Sequence, residues 1–397
     1  MIDKEIKDKK DCMGCYACTS ICPKNCISMM DDEEGFWYPV VDYNKCIKCN
    51  KCVNVCPIIN KTKMENEPVA YACINKDESI RIESSSGGVF TLIAEQVIAE
   101  GGIVIGAEFN IDFDVEHNSV ERVENLERLR GSKYVQSRIG SMYVQVGDFL
   151  NQGKKVLFTG TPCQIGGLKS YLGQPYENLY CVDIVCHGVP SPAIWKKYVD
   201  FREKEASSPT QRIAFRQKYE GWKRYSVSFL FKNNTEYRKI LNEDLYMKAF
   251  LKDLCLRPSC YNCEFKTLNR QSDITLADFW GIQNMLPEMD DDKGTSLIFV
   301  NSKTGQDVFN SISGDMKFKK VNINEAVKYN SAAIKSVKYN PKRDGFMAEK
   351  DSLPFDKLVA KYCNEPLQIR IKNKVRSGIK KMLVKTKLIN IVNSARK

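Results

Sequence analysis

Cys12-Met-Gly-Cys15-Tyr-Ala-Cys18-Thr-Ser-Ile-Cys22-Pro23 decides how this chain is read, because the pattern returns as Cys46-Ile-Lys-Cys49-Asn-Lys-Cys52-Val-Asn-Val-Cys56-Pro57. Each cysteine of the first run has its match 34 residues on, so the segment is an internal duplication. Three thiols two residues apart fit one tight loop and can grip three corners of a cubane 4Fe–4S cluster. The fourth opens the following turn and reaches the neighbouring cluster. That rule assigns Cys12, Cys15, Cys18 and Cys56 to one cluster, and Cys46, Cys49, Cys52 and Cys22 to its twin. Structural zinc is the competing use of such thiols, but zinc sites pair cysteines across a longer loop, not in an unbroken run. Pro23 and Pro57 bar the preceding helix from continuing. Cys26 falls outside the pattern and reads as a small buried residue.

Residues 1–66, on this spacing, resemble a bacterial-type two-cluster ferredoxin domain. The rest of the composition agrees. The 397 residues include 17 cysteines and only 2 histidines, which favours thiolate-held iron over imidazole-held metals. With 43% hydrophobic and 27% charged residues, the chain belongs with ordinary globular proteins, not disordered or fibrous ones. No run of 18 apolar residues exists to span a membrane. Met1–Lys10 lacks the apolar stretch of a secretory signal, so the expected location is the cytoplasm, where thiols stay reduced.

Beyond Val69 the texture alternates between strand and helix. Tyr71–Ile74 reads as a buried strand, and Val89, Phe90, Leu92, Ile93, Val97 and Ile98 recur at helical spacing up to Gly101-Gly102. Further strands are expected at 102–106, 154–158 and 179–185, with a helix at about 164–171. That order predicts an α/β layer with ligands at the carboxyl ends of its strands. Residues 224–232 alternate as a half-exposed strand and point to a more antiparallel later portion.

Two features of this body carry chemistry. Ser84-Ser-Ser86-Gly87-Gly88 opens a helix, either as a cap with Ser86 at the N-cap position or as a bare-backbone cradle for phosphate. The usual dinucleotide and Walker fingerprints are missing. Cys260-x2-Cys263 is too short to hold a cluster alone. It could meet Cys163 and Cys186, each at the end of an expected strand; a structural thiol pair or a zinc site are the alternatives.

Ser86-Gly-Gly-Val89, Lys133-Tyr-Val-Gln-Ser137, Gly160-Thr-Pro-Cys-Gln164, Cys186-His-Gly-Val-Pro-Ser191 and Cys260-x2-Cys263 with Asp273-Ile-Thr-Leu276 resemble the coenzyme F420 hydrogenase/dehydrogenase beta-subunit family. Its relatives include 7-hydroxymethyl chlorophyll a reductases, and the match covers roughly residues 68–350. The resemblance implies one FAD and a third 4Fe–4S cluster in the α/β body. It favours Cys163, Cys186, Cys260 and Cys263 as cluster ligands, with Cys255 a fifth candidate. It also implies that Ser86, Gly87 and Gly88 line the flavin pocket, with Lys133 and Thr161 as further contacts. One departure is Ala277 before Asp278, where the family pattern has glycine.

The expected architecture is therefore an α+β multidomain chain: the ferredoxin module at 1–66, an α/β flavin-binding body at 67–350, and a basic amphipathic C-terminal helix within 351–397. The resemblance implies an iron–sulfur flavoprotein oxidoreductase acting on a small organic substrate, with a low-potential donor such as ferredoxin. Relatives often accompany surface polysaccharide assembly genes, which suggests a sugar- or lipid-linked substrate. An F420-linked dehydrogenase, or an electron-transfer subunit docking on a separate catalytic partner, are the competing readings. His187 is the one histidine in a candidate site loop and is the expected proton donor, against a simple packing role. His117 lies in a loop rich in acids and is assigned nothing. Residues 367–397 carry ten Lys and Arg and no acid, which accounts for all but one of the net +11. The apolar stripe Ile371, Val375, Ile379, Met382 and Leu383 speaks against a nucleic-acid arm. It suits contact with an anionic membrane surface, on the inner face of the cell membrane, or packing on the body.

Overall fold

Two apolar triplets, Ile103-Val-Ile105 and Val156-Leu-Phe158, organise the body, and every one of their side chains is fully buried. Strands sealed on both faces belong to the middle of a parallel sheet. The computed structural model describes residues 1–364 and shows that sheet. In chain order the strands are β1 (Ile27–Asp31), β2 (Trp37–Val41), β3 (Val69–Asn75), β4 (Ile103–Phe109), β5 (Val115–Val120), β6 (Val156–Gly160) and β7 (Leu179–Ile184). They continue with β8 (Thr210–Gln217), β9 (Ser226–Phe231), β10 (Glu236–Ile240), β11 (Ile274–Asp278), β12 (Ser296–Val300) and β13 (Met316–Val321). The helices needed here are α1 (Ala17–Ser20), α2 (Lys51–Asn54), α3 (Val89–Ala99), α4 (Met142–Asn151), α5 (Pro162–Leu172) and α6 (Pro192–Ala206).

The large sheet has eight strands in the order β13-β3-β12-β11-β7-β6-β4-β5. Strands β4, β6, β7 and β11 run parallel, and β5, β12 and β13 run against their neighbours. Alternate residues serve opposite faces. Val104, Leu157 and Val182 pack on α3, while Ile103, Ile105, Val156, Phe158 and Cys181 pack on α4 and α5. All the strand-to-helix loops after the parallel strands therefore open at one end of the sheet.

The ferredoxin-like module adds the two-stranded β1–β2 ribbon and the short helices α1 and α2. Its core is continuous with the body: Ile2, Tyr16, Ala17 and Trp37 share one cluster with Tyr143, Ile165 and Leu168. A separate antiparallel sheet, β10-β9-β8, packs with α6 around Trp195, Tyr198, Phe215, Phe229 and Tyr246. The antiparallel character matches the sequence expectation, but β9 is buried on both faces instead of half-exposed. Its alternate positions are Ser226 and Ser228, small enough to be covered.

The helix Phe355–Cys363 packs Phe355, Leu358 and Val359 into that aromatic core. The basic stretch 367–397, with the membrane-surface and nucleic-acid alternatives read from it, lies outside the described residues. Among the described residues no helix is long and apolar enough to cross a membrane.

Candidate iron–sulfur centres and cofactor site

The 34-residue repeat is written into the backbone. Gly14 and Tyr16 adopt left-handed φ of 65° and 67°, and their counterparts Lys48 and Asn50 adopt 58° each. Such alternation turns successive N–H groups toward one concave point, the geometry that holds anionic clusters. Helices α1 and α2 follow at matching positions. Cys22 and Cys56 close them alike, their N–H groups donating to Thr19 O and Val53 O at 3.2 Å.

The thiols of the two copies lie near one another. Burial pushes the Cys15 thiol up to about 12 and Cys18 well above its ordinary value, and Cys12 and Cys56 both add to each shift. Cys22, Cys46, Cys49 and Cys52 line one pocket at the far end of the module. Cys26 lines it too, with its Sγ 3.3 Å from that of Cys22, so it is more than the inert core residue expected from the spacing. Burial opposes ionisation of Cys22, but N–H groups of Cys26, Lys24 and Asn25 hold its thiol below the usual value.

A second pocket brings together cysteines from three distant segments. Cys163 opens α5 after β6, Cys186 follows β7, and Cys260 and Cys263 sit on the turn Pro258–Asn262 and just after it. Cys255 does not take part. It is fully buried in the aromatic core near Cys363, which removes it from the ligand candidates. Burial raises all four pocket thiols, Cys260 to about 12. A raised pKa disfavours a free nucleophilic thiolate, and only a nearby positive charge such as a metal centre would ionise these thiols. Among the described residues no three Cys, His, Asp or Glu side chains are grouped so as to hold a single metal ion. The wall also holds Ser259 Oγ and Arg270 Nε, both buried and without a partner. Lys266 Nζ donates to the carbonyl oxygens of Cys186 and of Ala332 (2.9 Å) and fixes the Cys186 loop.

The two halves touch through few side chains. Met13, between Cys12 and Gly14, forms part of the four-cysteine pocket. Gly167 lies one helical turn beyond Cys163; a Cβ there would stand 3.1 Å from Cys15 Sγ. Arg257, fully buried, donates to Cys12 O (2.8 Å), Trp37 O (3.0 Å) and Gln136 Oε1 (3.2 Å). The motifs at 133–137 and 160–164 thus act partly as braces, and Ser137 Oγ accepts from Gln164 Nε2 at 2.8 Å.

The flavin candidates divide. Thr161 caps α5 with Gln164 and lies 3.1 Å from Cys163 Sγ, in the cysteine pocket. The other four sit at the same end of the sheet, linked by Ser85 and Ser132. Ser86 is not the N-cap: Gly88 is, at φ 82°, and Ser86 Oγ donates to Thr295 O instead. Gly87 is required by packing, since a Cβ would meet Cys73 O at 2.4 Å, and its N–H already donates to Ser296 Oγ. Any anion there must use the N–H groups of α3 itself. Lys133 Nζ is spent on the carbonyls of Arg128 and Arg130, and burial pulls its pKa down to about 7. His187 lines the cysteine pocket, its Nε2 2.7 Å from Asp253 Oδ1. His117 sits on β5, not in a loop. It is buried, Nε2 on Thr159 O at 3.0 Å, with burial and then Lys133 lowering its pKa to about 4.

Sequence reasoning missed the charged residues of the second sheet. Arg216, on β8, makes a two-pronged pair with Asp278 at 2.8 and 2.9 Å and donates to Ser85 O at 3.1 Å. Its Nε is buried without a partner. Lys218 Nζ reaches Arg81 O, Ser86 O and Lys293 O, and burial, then Arg216 and Arg81, lower its pKa to about 7. The alternation of Arg216 and Lys218 at the end of a strand was the available signal.

Residues 11–59 match the family model described as a 4Fe–4S dicluster domain, and residues 153–326 match the model for the C terminus of the coenzyme F420 hydrogenase/dehydrogenase beta subunit. No curated protein matches the chain. Among solved structures, a chain of the F420-reducing [NiFe] hydrogenase complex from Methanosarcina barkeri is similar, with 16% identity and a TM-score of 0.46 over 68% of this chain and 90% of that one. The chain thus joins an N-terminal 4Fe–4S dicluster domain to a region similar to the C terminus of the coenzyme F420 hydrogenase/dehydrogenase beta subunit, and is an iron–sulfur protein of the oxidoreductase, electron-transfer kind.

Proposed function

We propose that the chain is a three-cluster flavoprotein oxidoreductase that moves electrons between an outside carrier and a small organic substrate. The observation that carries this reading is the meeting of Cys163, Cys186, Cys260 and Cys263 in one pocket whose wall includes Met13 of the ferredoxin-like module. Cys22, Cys46, Cys49 and Cys52 would hold the outer cluster; Cys12, Cys15, Cys18 and Cys56 the middle one; the four-cysteine pocket the inner one. FAD, when bound, exchanges a hydride with an organic molecule yet takes electrons singly, and each cubane carries one electron.

The residues present fit a flavin dinucleotide by charge. Arg216 has an unpartnered buried Nε, while Lys218 and Lys133 meet mainly neutral carbonyls. A diphosphate beside them would supply the missing negative charge. The N–H groups of α3 that follow the Ser86–Gly88 turn would hold it, with Lys133 nearby as a positive charge, and Thr161 would face the inner cluster. His187, oriented by Asp253, is the proton carrier nearest that pocket.

Anaerobic purification of the full chain with iron, sulfide, zinc and flavin analysis tests the reading. About 12 iron atoms and one FAD per chain are expected from three cubanes and one flavin site. A colourless protein holding zinc and no flavin would sink it.

A further inference from the structure

We infer that the face around Cys49 is a docking surface for a small, acidic, one-electron carrier protein. The inference rests on the electron-transfer reading and adds where the carrier binds and what charge it bears.

The outer thiol pocket lies at the surface, and Cys49 and Asn50 on its rim are exposed. Between Tyr43 and Met64 the chain has five lysines and no aspartate or glutamate. Lys24, Lys45, Lys48 and Lys51 are all exposed around that pocket. Lys45 leans on Asp42 at 3.4 Å, whereas no carboxylate among the described residues pairs with Lys24, Lys48 or Lys51. Within this basic ring stand two large exposed apolar residues, Ile47 at 57% and Tyr43 at 44%.

A body with near-zero net charge that gathers unpaired lysines at one point creates a local positive field. Such a field steers an oppositely charged partner and raises association rates by about 10 to 1,000-fold. Ile47, which lines the pocket, gives the encounter an apolar contact next to the thiols. The chemistry that matches is a small protein with carboxylates around its own exposed redox centre. Its reduced form would give up one electron, and the outer cluster would gain it. No proton or bond change accompanies the step.

The test uses the full-chain holoprotein in anaerobic stopped flow. The reductants are a reduced acidic ferredoxin and, separately, the methyl viologen cation radical. The wild-type rate with ferredoxin should fall steeply with added salt. Lys45→Glu, which neither lines the thiol pocket nor belongs to the left-handed pair Lys48 and Asn50, should slow ferredoxin several-fold. Iron content should stay unchanged and viologen should react no more slowly. A ferredoxin rate indifferent to both salt and charge reversal would overturn the docking face. So would equal slowing by the cationic reductant. A wild-type chain without iron would overturn the electron-transfer reading itself, and the docking surface with it.

Discussion

The two halves of the cysteine repeat share a backbone and have opposite fates. In the first, Met13 is buried at 8% exposure and forms part of the inner pocket; its counterpart Ile47 is 57% exposed. Ala17 is fully buried against the body, whereas Lys51 stands in solvent. Gly14 and Lys48 have nearly the same left-handed φ, yet a Cβ on Gly14 would meet Gln136 Nε2 at 2.6 Å. The outward copy accepts the cost of a side chain in that conformation because nothing crowds it. Duplication supplied two identical holders, and substitution of the residues between the cysteines turned one inward and one outward.

If that contrast is real, damage to the two copies should differ. Arg257→Met strips the bond that ties Cys12 O of the inward copy to the body, and with it those to Trp37 O and Gln136 Oε1, each costing about 1–3 kcal/mol when left unsatisfied, so a loss of about 3 kcal/mol or more is expected in chemical denaturation. Lys48→Ala on the outward copy should stay within about 0.5 kcal/mol of wild type. Equal losses would remove the asymmetry.

Acid probes the inner side of the sheet. His117 binds its proton less readily folded, at about 4, than unfolded, at about 6.5. The unfolded chain therefore holds more protons in that window, and stability falls as pH drops from 6.5 to 4 and is flat above it. The full effect is about 3 kcal/mol at 1.36 kcal/mol per unit. His117→Phe, which keeps the stack on Phe158, should flatten the part of the acid limb that this group contributes.

Gly167→Ala places a methyl group against Cys15 and the Tyr143 hydroxyl, and overpacking there should cost about 1–3 kcal/mol. Thermal unfolding of the holoprotein reads it. The smallest effect is expected at Cys26. Cys26→Ala should leave iron content unchanged and shift only the outer cluster's electron paramagnetic resonance signal or midpoint, through loss of the thiol beside Cys22. Loss of four iron atoms would instead make Cys26 a ligand.

Much of this was legible in the chain. Cysteine spacing pointed to a dicluster domain at the N-terminal end, because ligand geometry is local. Apolar triplets marked the strands, and two strand-end loops with the turn Pro258–Asn262 bring Cys163, Cys186, Cys260 and Cys263 to one pocket. What stayed hidden was long-range. Cys255 lies five residues before Cys260, yet it is buried in the aromatic core whereas Cys260 lines the pocket. Tyr16 and Trp37 look like the private core of a small domain, but they pack with α4 and α5. Ser86 looked like a cap until the tertiary partner Thr295 claimed its hydroxyl. Arg216 and Lys218 gave no local signal of their role because their partners Ser85 and Ser86 are remote in sequence.

The central claim is that the inward copy feeds the four-cysteine pocket. Freeze-quench electron paramagnetic resonance with flavin absorbance, comparing wild type with Cys260→Ser, tests it most directly. The account predicts that the variant loses about four iron atoms, still reduces its two ferredoxin-type clusters, and leaves the flavin oxidised. Flavin reduction at the wild-type rate in that variant would contradict it.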